Sequence, residues 1–87
     1  MKTLVTAQAE SEPTGSFRVY TPASLGAAIR HFRLEGGLTQ AQLADLTGLN
    51  RTYLSDLERG KETEQLRRIL RVLNQLGLRM TIQKAGW

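Results

Sequence analysis

From Thr21 onward the chain is cut at short intervals by paired start and stop signals. Thr21, Thr39, Asn50 and Thr63 each stand just before an apolar-periodic segment, and Gly36-Gly37, Gly48, Gly60 and Gly77 each stand just after one. A hydroxyl or amide side chain at the first position satisfies an orphan backbone N–H, and glycine accepts the left-handed geometry that ends a helix. The spacing predicts helices over about 22–34, 40–47, 51–59 and 64–76, with Pro22 at a first helical position, where its missing N–H costs nothing. Helices this short are marginal alone in water, so they must hold one another. The apolar residues at helical spacing supply the faces for this. They are Leu25, Ala28, Ile29 and Phe32 in the first segment and Leu43, Ala44 and Leu46 in the second. In the third they are Leu54 and Leu57, with Leu49 just ahead, and in the fourth Leu66, Ile69, Leu70, Val72, Leu73 and Leu76.

Two alternating stretches flank the helices. Residues 16–20 (SFRVY) predict a short strand, and so do residues 78–83, apolar at Leu78, Met80 and Ile82. A lone strand cannot satisfy its backbone or cover its apolar face. The second strand must therefore pair with residues 17–20 of its own chain, with its counterpart in a second copy, or with both. The intermolecular pairing is favoured, which assigns Leu78, Met80 and Ile82 to dimerisation. Residues 1–15 are small or polar and predict a flexible arm, leaving residues 16–77 as the helical domain and 78–87 as the dimerisation strand and tail. About 72 residues remain to build a core; a chain that small hides only about 60% of its unfolded surface, so a partner's surface is useful to it. The expected class is mainly α, a bundle of four to five helices with a C-terminal dimerising β-strand.

Composition removes most other functions. Without cysteine there are no disulfides, thiolate metal sites or cysteine nucleophiles, and a single histidine builds no metal cluster. No set of acid, base and nucleophile with room for a pocket can be assembled, so an enzyme, a metal and a cofactor are not expected. No apolar run is long enough to span a membrane, and Lys2 is followed by no signal-peptide core, which points to the cytoplasm, and to the nucleoid when DNA-bound. Twelve Lys and Arg against eight Asp and Glu give a net charge of +4, a weak pointer toward a polyanion. Glu62, Glu64, Arg67, Arg68 and Arg71 read as a solvated helix face, with Glu64 four residues before Arg68 in the favourable order.

The informative segment is LTQAQLADLTGLNRTYLSDLERG, residues 38–60. Two short helices joined through a glycine have the layout of a helix-turn-helix. Ala44 is small where two backbones must approach, and Gly48 supplies the positive φ of the turn. With Leu54 and Leu57 inside, Thr52, Ser55 and Arg59 fall outside, flanked by Arg51 and Asp56. Arg51, Thr52 and Ser55 lie toward the helix N-terminus and suit base edges in a major groove, where arginine reads guanine and small hydroxyls read either polarity. Gln40, Asn50, Tyr53, Arg59 and Lys61 suit phosphate contacts and positioning. Tyr53 serves equally well as a half-buried packing residue. Asp56 would repel phosphates unless it accepts from a cytosine or pairs with Arg59, and the intrahelical pair is favoured. His31 reads as an exposed or half-exposed helix residue. Trp87, on the short tail Lys84-Ala85-Gly86, would either fold back or anchor in a partner's pocket.

Residues 22–76, and LTQAQLADLTGLNRTYLSDLERGK in particular, resemble the phage-repressor-like (XRE, or Cro/CI-type) helix-turn-helix family. The resemblance includes the Gln40 phosphate position and base-facing Arg51, Thr52 and Ser55. The continuation LRRILRVLNQLGLRMTI resembles HipB-type antitoxins, whose helical domain is followed by one C-terminal strand. That resemblance implies a homodimer on inverted-repeat operator DNA that represses its own operon and neutralises a HipA-like serine/threonine kinase toxin. A stand-alone regulator without a toxin, and a protein-interaction module that no longer binds DNA, are the rival readings.

Overall fold

The computed structural model describes residues 15–61 and 64–85. Residues 1–14, the Thr63 cap and Trp87 lie outside them. The elements run β1 (Phe17–Val19), α1 (Pro22–Glu35), α2 (Gln40–Thr47), α3 (Arg51–Glu58), α4 (Glu64–Gln75) and β2 (Met80–Ile82). Both strands are shorter than expected, and Leu78 stands ahead of β2 instead of in it. The helices match the expected spans to within a residue at each end.

The helix starts form as their sequences dictate. The Thr21 hydroxyl accepts from the Ser24 N–H at 3.1 Å, and Ser24 Oγ accepts from the N–H groups of Thr21 at 2.9 Å and Tyr20 at 2.8 Å. Within this reciprocal box Ser24 is inaccessible to solvent, while Thr21 stays exposed. A second box joins Thr39 and Gln42, and Asn50 Oδ1 caps α3 by accepting from the Tyr53 N–H at 2.8 Å. At the end of α1 the left-handed residue is Gly37, φ 75°, and not Gly36.

β1 and β2 form a two-stranded antiparallel sheet, with Phe17 opposite Ile82 and Val19 opposite Met80. Of the two pairings open to the C-terminal strand, the structure contains the one within the chain. Phe17 and Val19 are buried, and the Phe17 ring meets His31 at 4.7 Å and the edge of Phe32 at 5.4 Å, which fixes the sheet on α1. His31 is otherwise exposed. Lys84 pairs with Glu35 at 3.1 Å, holding the segment after β2 beside the end of α1.

α1 packs on α3 and β1, and α2 packs on α3; α4 is joined more loosely. The buried apolar residues are Phe17, Val19, Ala28, Ala44, Leu54 and Leu70. Ala44 is buried, and a close backbone approach occurs at Gly26. A Cβ there would stand 2.3 Å from the Leu57 carbonyl oxygen and 2.7 Å from that of Glu58, so α1 lies directly on the end of α3. Gly48 has φ 74° with open space around it, so its need is for the backbone angle alone.

Several residues expected inside are outside. Leu46 and Leu49 flank the turn and are 73% and 46% exposed. On α4, Leu70 is buried and Leu66 and Leu73 are half-buried, whereas Ile69, Val72 and Leu76 are exposed. At roughly 100° per residue these form two stripes about a quarter-turn apart, of which the described residues bury one.

Candidate nucleic-acid interface

α2 and α3 meet through the Gly48 turn, and α3 presents its outer face to solvent. Arg51 and Thr52 are exposed, Ser55 is half-buried, and Leu54, on the opposite side, is 3% exposed. Thr52 and Arg59, outward in the angular reading, are exposed, as is the flanking Arg51, and Ser55 sits at the margin of that face. Tyr53 is 51% exposed and is not a core residue. Asn50 spends its carbonyl oxygen on the helix cap, which leaves its amide N–H groups as the donors it can offer.

The orientation of α3 is set from behind by a buried ion pair that sequence reasoning did not identify. Arg33 on α1 donates from Nε to Glu58 Oε2 at 2.6 Å and from Nη2 to Glu58 Oε1 at 3.0 Å. Its Nη1 donates to the Leu38 carbonyl at 2.7 Å, which secures the loop leading into α2. Gln40 Nε2 donates to the same Glu58 carboxylate at 3.1 Å. One carboxylate therefore joins α1, the start of α2 and the end of α3. The hydrogen bonds from Arg33 hold the Glu58 carboxyl below its ordinary range although burial pushes it up, and Gln40 adds to the lowering. The same bonds raise the Arg33 guanidinium. The available signal was the row Gly26, Ile29, Arg33, spaced by three and four, which runs along α1 beside its apolar stripe and faces α3.

Gln40 accordingly has a role that was not expected. Its side-chain amide is directed inward to Glu58, with one N–H engaged there. The Thr39 hydroxyl that caps α2 accepts from the Gln42 N–H at 3.0 Å.

Asp56 is half-buried on the outer side of α3 and is paired as anticipated. Arg59 Nη2 lies 2.6 Å from Oδ1 and Lys61 Nζ lies 3.4 Å from Oδ2. The Arg59 hydrogen bond is the main reason that the Asp56 carboxyl lies below its usual range, opposed by burial and assisted by Lys61. Among the described residues no group of acidic, histidine or cysteine side chains could hold a metal ion, and no helix is long and apolar enough to cross a membrane.

A tri-helical core with a glycine turn and an exposed, capped second helix defines a helix-turn-helix DNA-binding domain. The helix-turn-helix family model matches residues 29–82, and the chain belongs to that family, the XRE-type transcriptional regulators, which are not enzymes. An uncharacterised HTH-type transcriptional regulator, y4mF, of Sinorhizobium fredii is 41% identical over 69 residues, covering 79% of this chain and 91% of the relative. Antitoxin HipB of Escherichia coli is 29% identical over 65 residues, 75% of this chain and 74% of the relative. The ImmF control region 10 kDa protein of Bacillus phage phi105 is 35% identical over 60 residues, 69% of this chain and 67% of the relative. No solved structure matches the chain.

Proposed function

We propose that this DNA-binding regulator is a homodimeric repressor of its own operon and the antitoxin of a HipA-like kinase toxin. The observation that carries the DNA-reading part is the exposed N-terminal half of α3, with Arg51 and Thr52 outward on a helix clamped from behind through Glu58. Arg51, Thr52 and Ser55 read bases. Asn50, Tyr53, Arg59, Lys61 and the start of α2 at Gln40 position the domain on phosphates. Two α3 helices enter successive major grooves about 34 Å apart, so the operator is an inverted repeat with that half-site spacing.

The dimer reading is supported by the uncovered stripe Ile69, Val72 and Leu76, with Leu78 exposed nearby in sequence. It is supported as well by β2, which has one neighbour in a two-stranded sheet and half-buried Met80 and Ile82. A second copy would cover this apolar surface and give the small core the burial it lacks. The antitoxin part rests on the similarity to HipB, and Trp87 is a suitable anchor for the toxin. A second reading is a regulator without a toxin, in keeping with the similarity to y4mF, which is named only as a transcriptional regulator.

The test is a titration against the inverted repeats upstream of its own gene and against random duplex, at two salt concentrations, followed by co-purification with the neighbouring gene's product. Tight, dimer-stoichiometric binding to one repeat supports the repressor. Equal, weak binding to both duplexes overturns it. Capture of a kinase-like neighbour separates the antitoxin from the stand-alone regulator.

A further inference from the structure

We infer that Asp56 is a specificity-determining residue, acting as a built-in competitor that weakens binding to non-operator DNA while holding Arg59 in place for the operator. The inference rests on the DNA-binding reading above. Asp56 lies within a turn of Ser55 and Thr52, on the outer side of the helix that reads DNA. It takes Arg59 at 2.6 Å and Lys61 at 3.4 Å, one on each carboxylate oxygen. Those two cations are otherwise well exposed, with side chains 72% and 69% accessible, and among the described residues Asp56 is the acidic group that each contacts. The two cations just past the end of α3 therefore carry their phosphate-seeking charge in a partly compensated form.

The consequence differs between the two kinds of DNA. Non-specific association is driven by phosphate neutralisation and counterion release, so a carboxylate among the cations subtracts from it directly. At an operator, affinity also depends on side-chain geometry. There the Asp56–Arg59 bond biases a long, rotamer-rich side chain toward one orientation before binding, which offsets part of the lost charge. One carboxylate thus lowers the background and leaves the specific complex largely untouched, so it widens the ratio between them. The terminus of α3 could have carried Arg59 and Lys61 without an acid between them; the acid makes sense as a discriminator.

The test compares wild type, Asp56→Asn and Asp56→Glu in operator and random-duplex titrations over a range of salt concentrations. Asp56→Asn is expected to tighten random-duplex binding about tenfold at about 0.1 M salt, with the salt slope rising by about one per bound protomer. Operator affinity should change by less than about threefold, so the ratio falls. Asp56→Glu keeps the charge and the reach to Arg59 and should retain the wild-type ratio. Equal tightening on both duplexes, or no change on either, overturns the inference while leaving the repressor reading intact. Wild-type protein without any operator preference would instead overturn that reading and the inference with it.

Discussion

Arg33 and Glu58 stand 25 residues apart and meet as a buried two-point ion pair, at 2.6 and 3.0 Å, between α1 and the end of α3. Their side chains are 7% and 2% exposed, so water neither screens the pair nor replaces a lost partner. Removing one partner by Glu58→Gln or Arg33→Met leaves the other without its counter-charge. Each single change is expected to lower unfolding free energy by about 3–5 kcal/mol in urea titrations. The double change to apolar residues of similar size should recover a large part of that loss, because no lone charge remains.

Acid should reveal the same pair. The Glu58 carboxyl titrates lower in the folded chain than in the unfolded one, so its contribution is fully present above the unfolded value. That contribution is lost as pH falls through the depressed folded value. Urea midpoints should stay level from neutral pH down to about 5 and decline below about 4. In Glu58→Gln the decline should be shallower, and a decline as steep as in wild type would assign the acid sensitivity to other carboxyls.

Gly26→Ala places a methyl group against the carbonyls of Leu57 and Glu58, where the backbone cannot yield as a flexible side chain would. Despite alanine's better helix propensity, a net loss of about 1–3 kcal/mol is expected. Gly48→Ala meets no neighbour and should cost about 1–2 kcal/mol through its left-handed backbone alone. Gly48→Asn should recover part of this, and Gly26→Asn should not. Thermal denaturation of the four variants checks both statements.

Arg51→Ala should weaken operator binding by about 1–3 kcal/mol and relax preference at one base position. Equal weakening on operator and random DNA would make Arg51 a phosphate contact. Since Arg51 is exposed and the cap belongs to Asn50, the fold should be unchanged by circular dichroism.

Val72→Glu and Leu76→Glu place charges on the α4 stripe that the described residues leave open, at side chains 57% and 65% exposed. The single-chain fold should survive, and sedimentation should shift from dimer to monomer. Operator affinity should fall with it, since each half-site is then bound alone. Dimers that persist in both variants would confine the contact to β2.

Much of this protein was determined locally. Thr21, Thr39 and Asn50 act on N–H groups three residues ahead, and Gly48 acts on its own φ, so the helix boundaries and the helix-turn-helix could be read along the chain. The same holds for the Asp56–Arg59 pair, whose spacing of three is a property of any helix. Periodicity could not divide the apolar residues of α4 between an inner and an outer stripe, because both keep helical spacing and only the neighbours decide which is covered. Leu46 and Leu49 were misplaced for that reason too. The Arg33–Glu58 contact, the inward aim of Gln40 and the closeness of Gly26 to α3 belong wholly to the tertiary structure. Each joins residues on different helices, and a pairing across space depends on crossing geometry that no local rule encodes.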